Sequence, residues 1–373
     1  MDARGRPHRG DGAADPDRSR GPSRKGSAPP AQADRNGLYA ALDLGTNNCR
    51  LLVATPARRG FRVVDAFSRI VRLGEGVGAT GRLGEDAMRR TLAALRICAD
   101  KMDARQVSRR RLIATQACRI ADNGAEFLKR VRDDTGIELE VVDPETEALL
   151  AVAGCSTLVD RDASGVLVFD IGGGSTELVW VDLSDGWRGP YSLHRQVGAW
   201  TSLPLGVVTL AEKFGGRDVT PETFEAMVAH CAERLAAFSA GPAISRALEG
   251  GEVHLLGTSG TVTTIAGVHL GLERYDRRRV DGTWMFADDV VRVTGTLIGM
   301  GYEARAENPC IGRERADLVL AGLAIFEAIR RAWPCERIRV ADRGLREGML
   351  SAMMAEDRVW RRWSRRRGRG RNQ

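Results

Sequence analysis

Two stretches of this chain place an acid just ahead of a glycine-rich turn. Asp43 is followed by Leu44, Gly45, Thr46 and Asn47, and Asp170 by Ile171, Gly172, Gly173, Gly174 and Ser175. Glycine turns expose backbone N–H groups, and without a Cβ a phosphate comes close enough to bond them. Two such turns facing each other make a phosphate clamp. Asp43 and Asp170 end apolar runs and suit carboxylates that hold Mg²⁺ directly or through water, and Glu177, two residues beyond Ser175, can join them. One turn of this kind could simply be a tight hairpin; two matched turns, 127 residues apart, argue for one device used twice.

A third segment, Gly257, Thr258, Ser259, Gly260 and Thr261, runs from an apolar stretch toward a helix N-terminus, a favourable place for an anion. Capping and close packing would use the same residue types. It has no Walker A lysine, which disfavours P-loop chemistry. Glu145 and Glu147 open a helix behind Pro144 and are candidates for a general base, although acids in a first turn also serve the helix dipole. Arg119 can reach a cleft at the strand ends or pair with a surface acid. Ser175 and Ser259 have no histidine that the sequence can assign to them, so a Ser/His/Asp nucleophile is not supported. Amide cradles, carboxylates for a cation and one base are sufficient for metal-assisted phosphoryl transfer to water.

The elements that must position these groups read as an α/β chain. An apolar run from Leu38 predicts a buried strand, a turn at Gly45–Asn48 and a returning strand over Cys49–Thr55. Helices follow near Glu85–Met102 and Gly124–Asp133, strands at Leu112–Thr115 and Glu138–Val142, and a helix after Pro144. The pattern restarts with a strand at Gly165–Ile171 and its return at Thr176–Val181. Further helices are predicted near Leu205–Phe214, Glu222–Phe238, Asp288–Met300, Arg313–Ala332 and Leu345–Ala355, with strands at Val253–Leu256 and Arg337–Val340. Strands and helices mixed in this way imply layered α/β domains.

Charge is unevenly spread over the 373 residues. The net +7 comes from the ends: residues 1–36 hold eight basic and five acidic residues, residues 358–373 hold eight arginines and no acid, and the remainder holds 40 basic against 44 acidic. The body is mildly acidic, and the ends read as disordered tails. No apolar run approaches the ~20 residues of a membrane span, and the N-terminal segment lacks an apolar signal core. Seven unpatterned cysteines and five scattered histidines argue for reduced thiols, a cytoplasmic location and no thiolate or imidazole metal site.

Taken in order, Asp43–Asn47, Thr115–Arg119 with Asn123, Val168–Leu178, Gly257–Thr261 and Asp342 through Leu345–Gly348 resemble the exopolyphosphatase and guanosine pentaphosphate phosphohydrolase family over about residues 38–355. The resemblance implies two ribonuclease H-like domains, 37–160 and 161–357, of the actin, sugar-kinase and heat-shock chaperone superfamily around a central cleft. It implies Glu147 as the base that activates water and Arg119 as a phosphate contact, with Asp170 among the catalytic groups. Asp43, Asp170 and Glu177 would hold Mg²⁺ or Mn²⁺, and Gly45–Asn47 and Gly172–Ser175 the phosphate, helped by Gly257, Ser259 and Gly260. The implied substrate is inorganic polyphosphate, with guanosine pentaphosphate as the alternative; a homodimer is allowed, and the arginine-rich tail would attract polyanions. Thr146 and Leu149 depart from the acid and arginine that the family usually carries beside the base, and Thr46 and Asn48 replace serines. A kinase of the same superfamily and a non-catalytic binder of polyphosphate or the alarmone would use the same loops.

Overall fold

The computed structural model describes residues 37–58, 60–250 and 253–360. Of the tails read above as disordered, 1–36 and 361–373 lie outside the described residues; 358–360 are described, and two of them are packed, with Val359 buried and Trp360 Nε1 donating to Ala57 O at 3.2 Å. The first apolar run forms β1 (Tyr39–Leu44), which turns back into β2 (Asn48–Pro56) and then β3 (Phe61–Ile70). With β4 (Arg109–Ala114) and β5 (Glu140–Val141) these strands make a five-stranded sheet in the order β3-β2-β1-β4-β5.

The second sheet begins with β6 (Gly165–Ile171) and β7 (Thr176–Asp182) and adds β8 (Val197–Leu203), β9 (Val253–Thr258), β10 (Trp284–Phe286) and β11 (Arg337–Val340). Read from β8, its order is β8-β7-β6-β9-β11-β10. Its first five strands therefore match the first sheet in order and direction: antiparallel twice, then parallel twice. The α/β architecture of two like halves, implied by the resemblance, is the one observed. β6 is buried at every residue except Asp170, which is why it reads as a continuous apolar run.

Helices cover both faces of each sheet. Glu85–Ala104 and Gly124–Thr135 bury Leu95 and Phe127 against Leu42 of the first sheet. In the second, the helix Val319–Ala332 stacks Phe326 on Phe169 with ring centroids 5.3 Å apart. Two helices exchange partners. Pro144–Cys155 packs Val152 against Val166 and Val179 of the second sheet, whereas Leu345–Glu356, last in the described chain, packs Met349 and Met353 against Ala41 and Leu52 of the first. They cross at glycines: a Cβ on Gly154 would collide with the Gly344 carbonyl, and one on Gly348 with that of Leu150. Among the described residues no helix is long and apolar enough to cross a membrane, and all seven cysteines are buried and outside any disulfide.

Candidate active site

The two glycine turns are the same hairpin built twice. Gly45 N–H donates to Asn48 O at 2.9 Å, and Gly172 N–H donates to Ser175 O at 2.9 Å. Across the strands Asp43 pairs in register with Arg50 and Asp170 with Glu177, so each pair shares a face at the mouth of its turn. The turns also touch each other: a Cβ on Gly173 would stand 2.9 Å from the Asn47 nitrogen, closer than such contacts tolerate. Glycine is thus required there to let one loop lie on the other. Between them is a cavity of about 150 Å³ that holds Asp43, Thr46, Asn47, Asp170, Gly172–Ser175 and Glu177 in its wall. That volume accepts a terminal phosphate with some water, since ~10–15 Å³ on this measure holds one water.

Glu147 enters from a helix. Asp143 caps Pro144–Cys155 by accepting the Thr146 N–H at 2.7 Å, and Pro144 fills the first position, where no donor is needed. Thr146, standing where the resembled family has an acid, adds its hydroxyl to Asp143 at 3.1 Å. One residue on, Glu147 lines the cavity with 13% of its side chain exposed. Burial pushes its carboxyl up to about 9; Glu177, Asp43 and Asp170 add repulsion that Arg119 partly offsets. Asp170 is pushed up to about 7, first by burial and then by Glu177 and Asp43. Asp43 and Glu177 are raised as well, chiefly by burial, although Ser202 donates to Glu177 at 2.8 Å. Four carboxylates are gathered here with too little positive charge to keep them ionised together.

Two expected contacts fall elsewhere. Arg119 stands behind the base: its Nη1 donates to Val142 O at 2.6 Å and to Glu147 Oε2 at 3.3 Å, and it is absent from the cavity wall. Gly257 lies inside β9, where a Cβ would collide with the Phe169 ring, so its smallness serves sheet packing while Thr258, Ser259 and Gly260 reach the cavity. Ser259 has a left-handed φ of 87° and a buried hydroxyl without a partner, a strained arrangement of the kind concentrated at ligand sites. Asn47 Oδ1 is a second buried orphan in the same wall.

Sequence reasoning missed two arginines. Arg50 lines the cavity with its Nε buried and without a hydrogen bond, and Arg346 faces it with no ion pair among the described residues. The signal for Arg50 was register: it follows Asp43 by seven residues, as Glu177 follows Asp170. Next to Arg346, burial alone would raise Glu347, but Arg346, Arg277 at 2.7 Å and the Gly344 N–H at 2.9 Å hold it below the usual carboxylate range.

No three His, Cys, Asp or Glu side chains among the described residues come close enough together to hold a metal ion by themselves. The carboxylates still fit a hard cation of the Mg²⁺ type, which takes one or two protein carboxylates, keeps waters and completes its shell with substrate phosphate oxygens.

Comparison with known proteins agrees with this geometry. The Ppx/GppA phosphatase family matches residues 52–357. The chain is 31% identical over 301 residues to exopolyphosphatase 2 of Mycobacterium tuberculosis, covering 78% of this chain and 89% of that one. Among solved structures, the Ppx/GppA family member of Aquifex aeolicus is 28% identical with a TM-score of 0.69, over 86% of this chain and 98% of that one. An exopolyphosphatase from Cytophaga hutchinsonii shares the fold at a TM-score of 0.75 and 23% identity, over 86% of this chain and 98% of that one.

Proposed function

This chain belongs to the Ppx/GppA phosphatase family, and from that premise we propose that it is a metal-dependent exopolyphosphatase in which Glu147 activates the attacking water. Membership makes it a phosphatase of phosphoanhydrides. The choice of polyphosphate over guanosine pentaphosphate rests on one observation: no Phe, Tyr, Trp or His is among the described residues lining the cavity, so no ring is offered to a guanine base. Bases held by proteins are usually stacked on aromatic rings or guanidinium planes; here only guanidinium planes are present, and their charge suits phosphate oxygens equally. A chain of phosphates needs only amides and cations, and Arg50, Arg315, Arg346 and the two hairpins supply them.

In this mechanism backbone N–H groups of Thr46–Asn47 and Gly173–Ser175 hold the oxygens of the terminal phosphoryl group, since those of Gly45 and Gly172 close their own hairpins. Glu147, steadied by Arg119, takes a proton from water as its oxygen attacks phosphorus, and the bond to the penultimate phosphate breaks on the opposite side. Mg²⁺ or Mn²⁺, held by one or two of the carboxylates Asp43, Asp170 and Glu177 together with phosphate oxygens, would supply positive charge to the developing negative charge. Arg50 and Arg346 receive the charge left on the shortened chain. Positioning and electrostatics carry most of such a reaction.

The test is phosphate release from polyphosphate and from guanosine pentaphosphate, side by side, for the wild type and Glu147→Gln with Mg²⁺ and with chelator. Polyphosphate should be the better substrate, chelator should abolish turnover, and the amide should cost about 10²–10⁴-fold in kcat. Wild-type turnover by Glu147→Gln would remove Glu147 from the base role, and faster turnover of the nucleotide would reverse the substrate assignment.

A further inference from the structure

Away from the cavity, the two halves are also tied by polar groups. Arg72 Nη1 and Nη2 bond Asp317 Oδ2 and Oδ1 at 2.8 and 2.9 Å, and Nη2 also reaches Glu314 O at 3.0 Å. Nearby, Gly76 N–H donates to Glu212 Oε1 at 2.8 Å. Behind these ties is a cavity of about 140 Å³, nearly as large as the one between the glycine hairpins. The walls here are therefore held apart from close packing and joined through the ties.

Each end of this bridge hangs on one of the phosphate loops. On one side Val71 N–H and Arg72 N–H both donate to Asn47 O, at 2.9 and 3.0 Å, and Gly74 N–H donates to Thr46 O at 2.9 Å. On the other side Glu212 belongs to the helix Val207–Phe214, whose Val207 and Val208 N–H groups donate to Gly172 O at 3.0 Å and Gly173 O at 2.8 Å. Asp317 adjoins Leu318, which lines the site cavity. Arg72 also has a φ of 49°, a left-handed conformation that residues other than glycine, asparagine and aspartate adopt reluctantly. The backbone accepts this strain while the residue bonds both Asn47 and Asp317.

We infer that Arg72 is a positioning residue: with Asp317 and Glu212 it forms a clasp that holds the Thr46–Asn47 loop and the Gly172–Gly173 loop against each other in the geometry that grips a phosphate. Arg72 touches no reacting atom; it acts through the carbonyl of Asn47. A displacement of about 1 Å between catalytic groups can cost about 10²-fold in rate, so a clasp remote from the chemistry has leverage over it. Because the pair is about one-third exposed, at 30% for Arg72 and 28% for Asp317, added salt weakens it.

The kinetic half of this inference rests on the phosphatase reading, and amide hydrogen exchange tests the clasp without it. The variants are Arg72→Asn, which keeps a residue suited to the left-handed backbone, Asp317→Asn, their double variant, and Arg72→Lys, all in the full chain. Each single asparagine variant should speed exchange about tenfold at the amides of Val71, Arg72 and Gly74 and also at those of Val207 and Val208, with other regions unchanged. It should lower kcat/KM for phosphate release from tripolyphosphate about tenfold. The double variant should lose no more than either single one, since both remove one interaction, and Arg72→Lys should fall between. Unchanged exchange at either loop overturns the inference, as does a double variant whose loss is the product of the two single losses. If Arg72→Asn does not fold, Glu212→Ala removes the second tie from an exposed side chain, and unchanged exchange at Gly76 and Val207–Val208 in that variant overturns it equally.

Discussion

Replacing Gly206 by alanine should damage the site from a position that carries no chemistry. Gly206 precedes the helix Val207–Phe214, with φ −133° and ψ 171°, a backbone that alanine adopts without strain. The obstacle is space. The three nearest atoms to an added Cβ are Gly173 C, Gly173 O and Gly174 N, all backbone of the second phosphate loop and all well inside the 3.4 Å at which ordinary contact begins. No side chain can swing aside, so the loop itself must move, by about 1 Å. Gly173 already rests on Asn47, so the displaced loop loses its register with the first one. A shift of that size predicts a fall of about 10²-fold in kcat and a stability loss of about 1–3 kcal/mol, typical of overpacking. Phosphate release at saturating polyphosphate reads the first and urea unfolding the second. Gly295 is the matched control: it lies within the helix Ala287–Gly299 with nothing within 4 Å of an added Cβ, and its alanine variant should gain about 0.5–1 kcal/mol at unchanged rate. A Gly206→Ala protein as active as the wild type would refute the idea that the loop backbone is held to within an ångström.

His254 gives the fold a pH dependence separate from the site. It is fully buried, accepts the Asp160 N–H on Nε2 at 3.2 Å and bonds Leu255 O through Nδ1 at 3.1 Å, with Asp160, Arg337, Arg339 and the Trp284 ring around it. Burial lowers its pKa to about 4 from 6.5. The unfolded chain therefore takes up a proton that the folded one refuses, so stability is full above pH 6.5 and falls as the pH drops toward 4. The loss is about 2 kcal/mol by pH 5. Between pH 7 and pH 5 urea unfolding should show the wild type losing about 2 kcal/mol relative to His254→Gln, because the raised carboxylates Glu147 and Asp170 change the stability of both proteins alike; the same change in both would place the effect elsewhere. Phe326→Ala should cost about 3–5 kcal/mol by removing the ring stacked on Phe169 in the core of the second sheet, and a loss under 1 kcal/mol would mean that the cavity closes.

The hairpins were legible because their strands are buried on both faces and glycine ends them. β6 appears in the sequence with the bounds it has in the structure. The strands outside them were not. β3 is half exposed along its length, reading Phe-Arg-Val-Val-Asp-Ala-Phe-Ser-Arg-Ile, and its mixture of charged and apolar residues resembles a loop. β8 is buried only at Leu203 and was missed for the same reason. The helix predicted from Arg313 starts at Val319, because Arg313–Leu318 is spent on turns that bring Arg315 to the cavity and Asp317 to Arg72. In the site, acids and glycines announced themselves by type. Arg50 and Arg346 did not, since an arginine in a strand or at a helix start usually belongs to the surface, and only cross-strand register puts Arg50 beside Asp43.

That register has one more consequence. Two identical hairpins facing each other would present the same wall on either side, and a polymer of repeating phosphates could lie between them in either direction with equal comfort. The two copies differ at several equivalent places, but the charge is reversed at one, where one copy has Arg50 and the other Glu177. One wall offers a guanidinium whose Nε has no hydrogen bond, the other a carboxylate that accepts from Ser202. The space between them has a head and a tail, and a symmetrical ligand laid into it acquires an orientation.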